Sequence, residues 1–523
     1  MENLNENSFG VQRDSSTVSI WQKGVTYLQD FGNFNEGDIF DNLIVGGGIT
    51  GITTALLLQE AGQKCILAEA HTLGYGTTGG TTSHINTFLD VSYNQLEENF
   101  GVDGSKLAAD ACKEAILSIK SLVDKYAIDC SFEYHNGYLF AESPQEEEEL
   151  QKILEASARA DVNVNYTNLI PLPLEFRRAL SFTGQASFHP LKYIYALAKA
   201  FVDQGGVILE KAAITGVQNT GDFHVATSGA LSINPLRIVY ATHIPPGINL
   251  LHFRCAPYRS YALAARLNDG NYPDGLAYDM KDPYHYFRTQ ELDGKKFLII
   301  GGNDHKTGHD SPDEAFASLE NYLKTHYDVA SINFRWSAQY YISPDGLPYI
   351  GKLPGFDKDV YTATGFGGNG ITLGSISAQI LKDLILGKEN KYAELFSPSR
   401  IKPVAGFAEF VKENLDVAYH FINDRLSIKD ISSLNDISPD TGAVIDFHNH
   451  KLAIYKDIAG EIHALSPVCP HAKCIVCWNN AEKSWDCPCH GSRFDIDGQV
   501  LTGPAEKALR KVQIGESRSV TGD

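Results

Sequence analysis

Leu43-Ile44-Val45-Gly46-Gly47-Gly48-Ile49-Thr50-Gly51-Ile52 is the stretch on which the fold turns. Leu43 to Val45 reads as a short buried strand. The run from about Ile52 to Ala61 reads as a helix that stops at Gly62. Between them lies Gly46-x-Gly48-x-x-Gly51. The first glycine permits a tight turn, the second lets backbone approach a pyrophosphate, and the third lets helix and strand pack closely. The helix N-terminus offers free N–H groups to the anion. Lys64 to Ala68 reads as a second buried strand, and Glu69 ends it 18 residues after Gly51, the place for a carboxylate on a ribose hydroxyl. Strand, glycines, helix, strand and acid in this order predict a parallel α/β sheet holding a dinucleotide.

Downstream runs Gly74-Tyr75-Gly76-Thr77-Thr78-Gly79-Gly80-Thr81-Thr82-Ser83-His84, small enough to lie along a ribityl-phosphate chain. Together with Glu69 it resembles the N-terminus of FAD-dependent oxidoreductases of the D-amino-acid oxidase superfamily. The resemblance implies a Rossmann-like domain with an interleaved α+β substrate domain. It also implies FAD held by Gly46, Gly48, Gly51 and Glu69, with Thr77 and Thr78 near the pyrophosphate or ribityl. A second turn, Gly365-Phe366-Gly367-Gly368-Asn369-Gly370, also fits GxGxxG, but no acid-ended strand follows it. With Asp345-Gly346-Leu347-Pro348 it resembles the C-terminal signature of the same superfamily. That likeness implies that Gly365, Gly367 and Gly370 bring a helix N-terminus to the flavin ring, where it stabilises the negative charge of the reduced state.

Nine cysteines are too few for a disulfide scaffold, but five of them fall within the 21 residues from Cys469 to Cys489, a spacing that favours a metal. Cys469-x-His471 and Cys487-x-x-His490 are separated by 15 residues. Two thiolates and two imidazoles suit a Rieske [2Fe–2S] cluster or a tetrahedral zinc. The tail Cys487-Pro488-Cys489-His490-Gly491-Ser492-Arg493-Phe494, with Gly503-Pro504-Ala505 behind it, resembles the second Rieske loop. This implies Cys469, His471, Cys487 and His490 as ligands. The same resemblance implies a disulfide between Cys474 and Cys489, against two packed free thiols, and leaves Cys477 structural. Ser492 can donate a hydrogen bond to a cluster sulfur. Phe494 stands where respiratory Rieske proteins commonly carry tyrosine, so the expected potential is below theirs. Gln185–Pro190 and Pro257–Tyr261 resemble a branch of the superfamily fused to a Rieske domain, and the likeness covers roughly residues 20–515.

The boundaries expected are a polar leader at 1–39 with an apolar patch around Trp21 and Tyr27, a discontinuous flavin unit at 40–387, a linker at 388–427 and an all-β Rieske domain at 428–515. The balance of 44 basic against 64 acidic residues, net −20, argues against nucleic acid or anionic membrane as partner. No apolar run reaches the length of a membrane span, and the polar start carries no leader signature, so the expected location is the cytoplasm. The expected function is oxidation of a small amine or amino acid, with electrons handed singly to a one-electron partner through the cluster. An alternative is an electron-transfer component fed by NAD(P)H or by a partner. Candidate substrate contacts are Tyr258, Arg259, Tyr284, His285, Tyr286 and Arg288, with either arginine able to clamp a carboxylate. His84 is a candidate for covalent attachment of FAD, and His305 reads as structural.

Overall fold

The computed structural model describes residues 13–356, 359–400, 429–430, 434–514 and 520–521. Strand Ile39–Val45 pairs in parallel with Cys65–Ala68 on one side and Leu231–Tyr240 on the other. Val207–Leu209 extends the sheet at one edge; Val360–Thr364 and Tyr349–Lys352 extend it at the other. The strands are apolar without alternation because helices cover the sheet. Helix Ile49–Glu60 packs against Pro190–Asp203 and Gly370–Ile385. Two glycines are required by close approach. Gly46 has φ +113, and a Cβ there would stand 2.5 Å from the Ala241 carbonyl oxygen. A Cβ on Gly51 would stand 1.9 Å from the Gly46 oxygen.

The chain leaves this sheet repeatedly to build a second one of nine strands, mostly antiparallel, which is the interleaved unit expected. Its long members are Glu133–Ala141, Arg178–Ser187, Ala256–Leu267, Lys295–Lys306 and Val329–Ile342. Helix Tyr93–Lys125 is kinked where Gly101 takes φ +74. Strand Val207–Leu209 ends where Lys211 turns the chain at φ +54, and the next strand starts at Gly216.

Residues 13–38 do not trail from the fold. Ile20 and Trp21 are fully buried in the main core, and Arg13 and Asp14 are buried at the junction with the C-terminal unit. Of the span read as a linker, Tyr392 and Phe396 are buried and Arg400 pairs with Asp345 at 2.7 Å; 401–427 lies outside the described residues. The C-terminal unit carries two four-stranded sheets and an independent core around Trp485, Phe494 and the cysteines. Cys474 and Cys489 are disulfide-bonded. No helix among the described residues is long and apolar enough to cross a membrane.

The C-terminal unit is docked, not tethered. Gln339 Nε2 donates to the Gly491 carbonyl at 2.9 Å, and Tyr341 Oη donates to the His490 carbonyl at 3.1 Å. Behind these bonds lies a buried ionic knot. Arg259 pairs with Glu482, and Arg493 bonds Glu482 at 2.7 Å, Asp486 at 3.0 Å and the Asp14 carboxylate at 3.3 Å. The knot ties the N-terminal segment, the second sheet and the C-terminal unit together.

Candidate active site and cluster site

A cavity of about 580 Å³ runs from the first glycine turn to the second sheet. At the glycine-turn end Glu69 is fixed by two backbone donors, Gly47 N at 2.6 Å and His71 N at 2.9 Å. Thr78 Oγ1 accepts from Ile49 N at 3.1 Å, and Thr77 Oγ1 donates to the Gln339 carbonyl at 2.6 Å. Further in, Gly367 and Gly370 line the wall, with Gly365 one residue behind it, and helix Gly370–Ile385 starts there. The Asp90 carboxylate accepts from Gly368 N at 2.8 Å, and the Asn369 side chain accepts from Asp90 N at 2.9 Å. One wall comes from the C-terminal unit itself, in the segment from Gln499 to Glu506.

The far end is made by the second sheet. Tyr278, Tyr284, Tyr286 and Tyr340 line it with Asp304, which accepts from Ser260 Oγ and from Tyr340 Oη at 2.7 Å. Burial pushes Asp304 up to about 7. Sequence reasoning missed Asp304. It stands four residues past the apolar run Phe297–Ile300 and next to His305, whose Nε2 is in hydrogen-bond contact with Tyr261 Oη at 2.8 Å.

Four of the six candidate substrate contacts are placed elsewhere. Arg259 is consumed by Glu482 and donates to Ser337 Oγ at 2.6 Å, so it is a docking residue, not a carboxylate clamp. Arg288 spends its donors on the Thr82 and Ser83 carbonyls, at 3.1 and 2.9 Å, and on Gln290. His285 Nδ1 faces the Asp279 carboxylate at 2.7 Å, outside the cavity wall. Tyr258 packs beside Tyr340 and is not on the wall, whereas Tyr284 and Tyr286 are. His84 does line the cavity. Burial, with Arg288 nearby, holds its imidazole neutral with a pKa of about 3. Both of its nitrogens are engaged, Nδ1 with Thr82 Oγ1 at 3.1 Å and Nε2 with the Phe287 carbonyl at 3.4 Å.

The cysteine-rich loops meet about 15 residues apart in sequence and side by side in space. Cys469 and Cys487 are buried, their sulfurs in hydrogen-bond reach of each other, and Ser492 bonds Cys469. Cys487 Sγ lies within 4.8 Å of the two disulfide sulfurs, which are not thiolates and so are not ligands. The His471 and His490 rings stand 4.9 Å apart. His471 Nε2 donates to the Gly247 carbonyl at 3.0 Å, while His471 Nδ1 and both nitrogens of His490 are buried with no hydrogen-bond partner. Two sulfurs and two orphaned imidazole nitrogens form the donor set a Rieske cluster needs. No spacing or motif singles out His252, whose ring lies 4.7 Å from His471.

A glycine-turn cavity on a parallel sheet, closed by an all-β domain with a two-cysteine, two-histidine cage, defines a flavoprotein oxidoreductase with an attached iron–sulfur domain. Residues 41–384 match the family described as FAD dependent oxidoreductase, and residues 428–513 match the Rieske [2Fe-2S] domain. The Rieske 2Fe-2S iron-sulfur protein YhfW of Bacillus subtilis (strain 168) is 32% identical over 94% of this chain and 97% of its own length. Gamma-glutamylputrescine oxidoreductase of Escherichia coli (strain K12) is 22% identical over 79% of this chain and 99% of its own. The crystal structure of glycine oxidase from Geobacillus kaustophilus shares the fold at a TM-score of 0.59 and 17% identity, covering 69% of this chain and 99% of that one. The chain belongs to the FAD dependent oxidoreductase family and carries a Rieske domain. It is an oxidoreductase whose cofactors are FAD and a [2Fe-2S] cluster.

Proposed function

We propose that the protein oxidises the C–N bond of a small amine or amino acid and that its two cofactors form one electron path. The observation that carries this reading is the shared wall: the segment Gln499–Glu506 of the cluster domain closes the flavin cavity, and His471 bonds the flavin domain at Gly247. Bound FAD supplies a two-electron acceptor and the cluster a one-electron relay.

The chain's own part is placement and charge. Gly46, Gly48 and Gly51 let backbone N–H groups approach a pyrophosphate, Glu69 receives a ribose hydroxyl, and Thr77 and Thr78 flank the phosphate chain. Gly365, Gly367 and Gly370 set a helix N-terminus beside the ring, where its dipole favours negative charge. Cys469, Cys487, His471 and His490 hold the cluster, and Ser492 raises its potential by bonding a sulfur. Tyr284, Tyr286 and Tyr340 exclude water from the substrate end. Family relatives named for oxidation of amines and amino acids support the substrate class.

An anaerobic screen of small amines and amino acids against the purified holoprotein tests this. Bleaching of the flavin band by one of them is the expected result. Bleaching by NAD(P)H alone would replace the reading with that of an electron-transfer component.

A further inference from the structure

The substrate end of the cavity is unusual in its charge. Among the described residues no lysine or arginine lines the cavity, and both arginines expected there are committed elsewhere. The histidines on the wall do not compensate. Burial brings His84 to about 3 and His243 to about 4, and it also lowers His71, so all three are neutral near pH 7. Asp304 and Asp90 are the acidic groups at this end. Asp90 is turned to the Gly368 amide, which leaves Asp304 as the acid with no positive charge against it.

A second observation is independent of the acids. Asn86 is 3% exposed and lines the cavity. Its Nδ2 donates to Tyr278 Oη at 2.7 Å, while its Oδ1 is buried with no partner. A buried acceptor without a donor is costly unless something supplies one. The rings of Tyr278, Tyr284, Tyr286 and Tyr340 stand around the same space, and aromatic faces attract cations.

We propose that this end of the cavity is a site for an organic ammonium ion, so that the substrate is an amine without a free carboxylate, bound by Asp304, the Asn86 side-chain oxygen and the tyrosine wall. An ammonium N–H gives Asn86 Oδ1 its missing donor, and its charge neutralises Asp304. A substrate carboxylate in the same place meets Asp304 and finds no guanidinium. The inference rests on the reading of the cavity as the place of amine or amino-acid oxidation, and it selects amines within that class.

Three planar probes of nearly one shape separate the possibilities: benzamidine (cation), benzamide (neutral) and benzoate (anion). Each is titrated into the oxidised holoprotein and followed by perturbation of the flavin absorption bands, which needs no turnover. Benzamidine is expected to bind at least about tenfold more tightly than benzoate, with benzamide between. Asp304→Asn is expected to weaken benzamidine about tenfold or more and to leave benzamide within about twofold, while Asp304→Glu retains the preference for cation over anion. Benzoate binding more tightly than benzamidine would overturn the proposal, as would an Asp304→Asn protein that keeps its flavin spectrum and its benzamidine affinity. Because the probe comparison is made on the unaltered protein, it stands even if a variant fails to fold. If amino acids bleach the flavin and benzoate binds best, the ammonium site falls and C–N oxidation survives. If benzamidine binds best and no amine bleaches the flavin, the ammonium site stands and the oxidation reading falls.

Discussion

The molecule buries two groups of charges, and they are built on opposite terms. At the docking junction Arg13, Arg259 and Arg493 meet Asp14, Glu482 and Asp486, with every side chain in close contact with its opposite sign. At the far end of the cavity Asp304 has two hydroxyl donors and no cation. Burial works to raise the Glu482 carboxyl, yet Arg259, Arg493 and Arg13 bring it down to about 2. Burial, helped by the Asp90 carboxylate and only partly offset by the two hydroxyl donors, takes Asp304 up to about 7. Balanced charge at a junction is structure: it fixes how two domains sit. Unbalanced charge in a cavity is a demand for a ligand, and the difference assigns the two sites different work.

The largest effect that separates the two sites is on stability. Glu482→Gln leaves Arg259 buried without an anionic partner and takes from Arg493 one of its three carboxylates, and it is expected to cost about 3–5 kcal/mol, read as a lower denaturation midpoint. The isosteric Asp304→Asn removes no ion pair and is expected to leave that midpoint at or above its starting value. The two groups also have opposite pH dependence. The folded-state pKa of Glu482 is depressed, so its contribution is present above the unfolded value near ~4.3 and is lost as pH falls toward about 2. The folded-state pKa of Asp304 is raised, so its ionisation opposes folding increasingly from about pH 4 to about pH 7.

Next in size is the pH dependence of cation binding. Asp304 faces Ser260 on one strand, Tyr340 on the next, Tyr286 and the Asp279-paired His285 on a third, and Asp90 from the loop before the long helix. Benzamidine affinity is expected to rise about tenfold per pH unit below about pH 7 and to level off above it, as the carboxylate forms. A flat profile from pH 5 to 8 would remove Asp304 from the site.

The cluster site was the more legible of the two functional regions, for a physical reason. Its ligands come from two short loops, each holding a cysteine and a histidine within four residues, so local sequence carries most of the geometry. The first glycine turn was legible for a related reason: Gly51 answers to the Gly46 backbone inside one βαβ unit, although Gly46 itself answers to Ala241, far away in sequence. The substrate end is assembled from Asn86, Ser260, Tyr278, Asp304 and Tyr340, residues that come together only when the second sheet forms. No spacing predicts that meeting. Arg259 shows the same limit from the other side. Its segment, Pro257–Tyr261, pointed correctly to a Rieske-fused branch, but the arginine serves the docking of that domain through Glu482 instead of the substrate.

A smaller effect lies at the cluster. Phe494 is fully buried in the cluster-domain core and has no hydroxyl to give. Phe494→Tyr is expected to raise the cluster midpoint by tens of millivolts in a redox titration, with the flavin midpoint unmoved. A native midpoint already in the respiratory range would contradict the role given to that position.

The central claim is that flavin and cluster are joined in one path that starts from an amine. The most direct measurement is anaerobic stopped-flow mixing of the oxidised holoprotein with an amine found to bleach it, following the flavin and cluster bands together. The account predicts that the flavin band falls first and the cluster band follows in the same molecules, at a rate independent of protein concentration. A cluster that stays oxidised while the flavin is reduced, or one that is reduced only at a rate proportional to protein concentration, would contradict it.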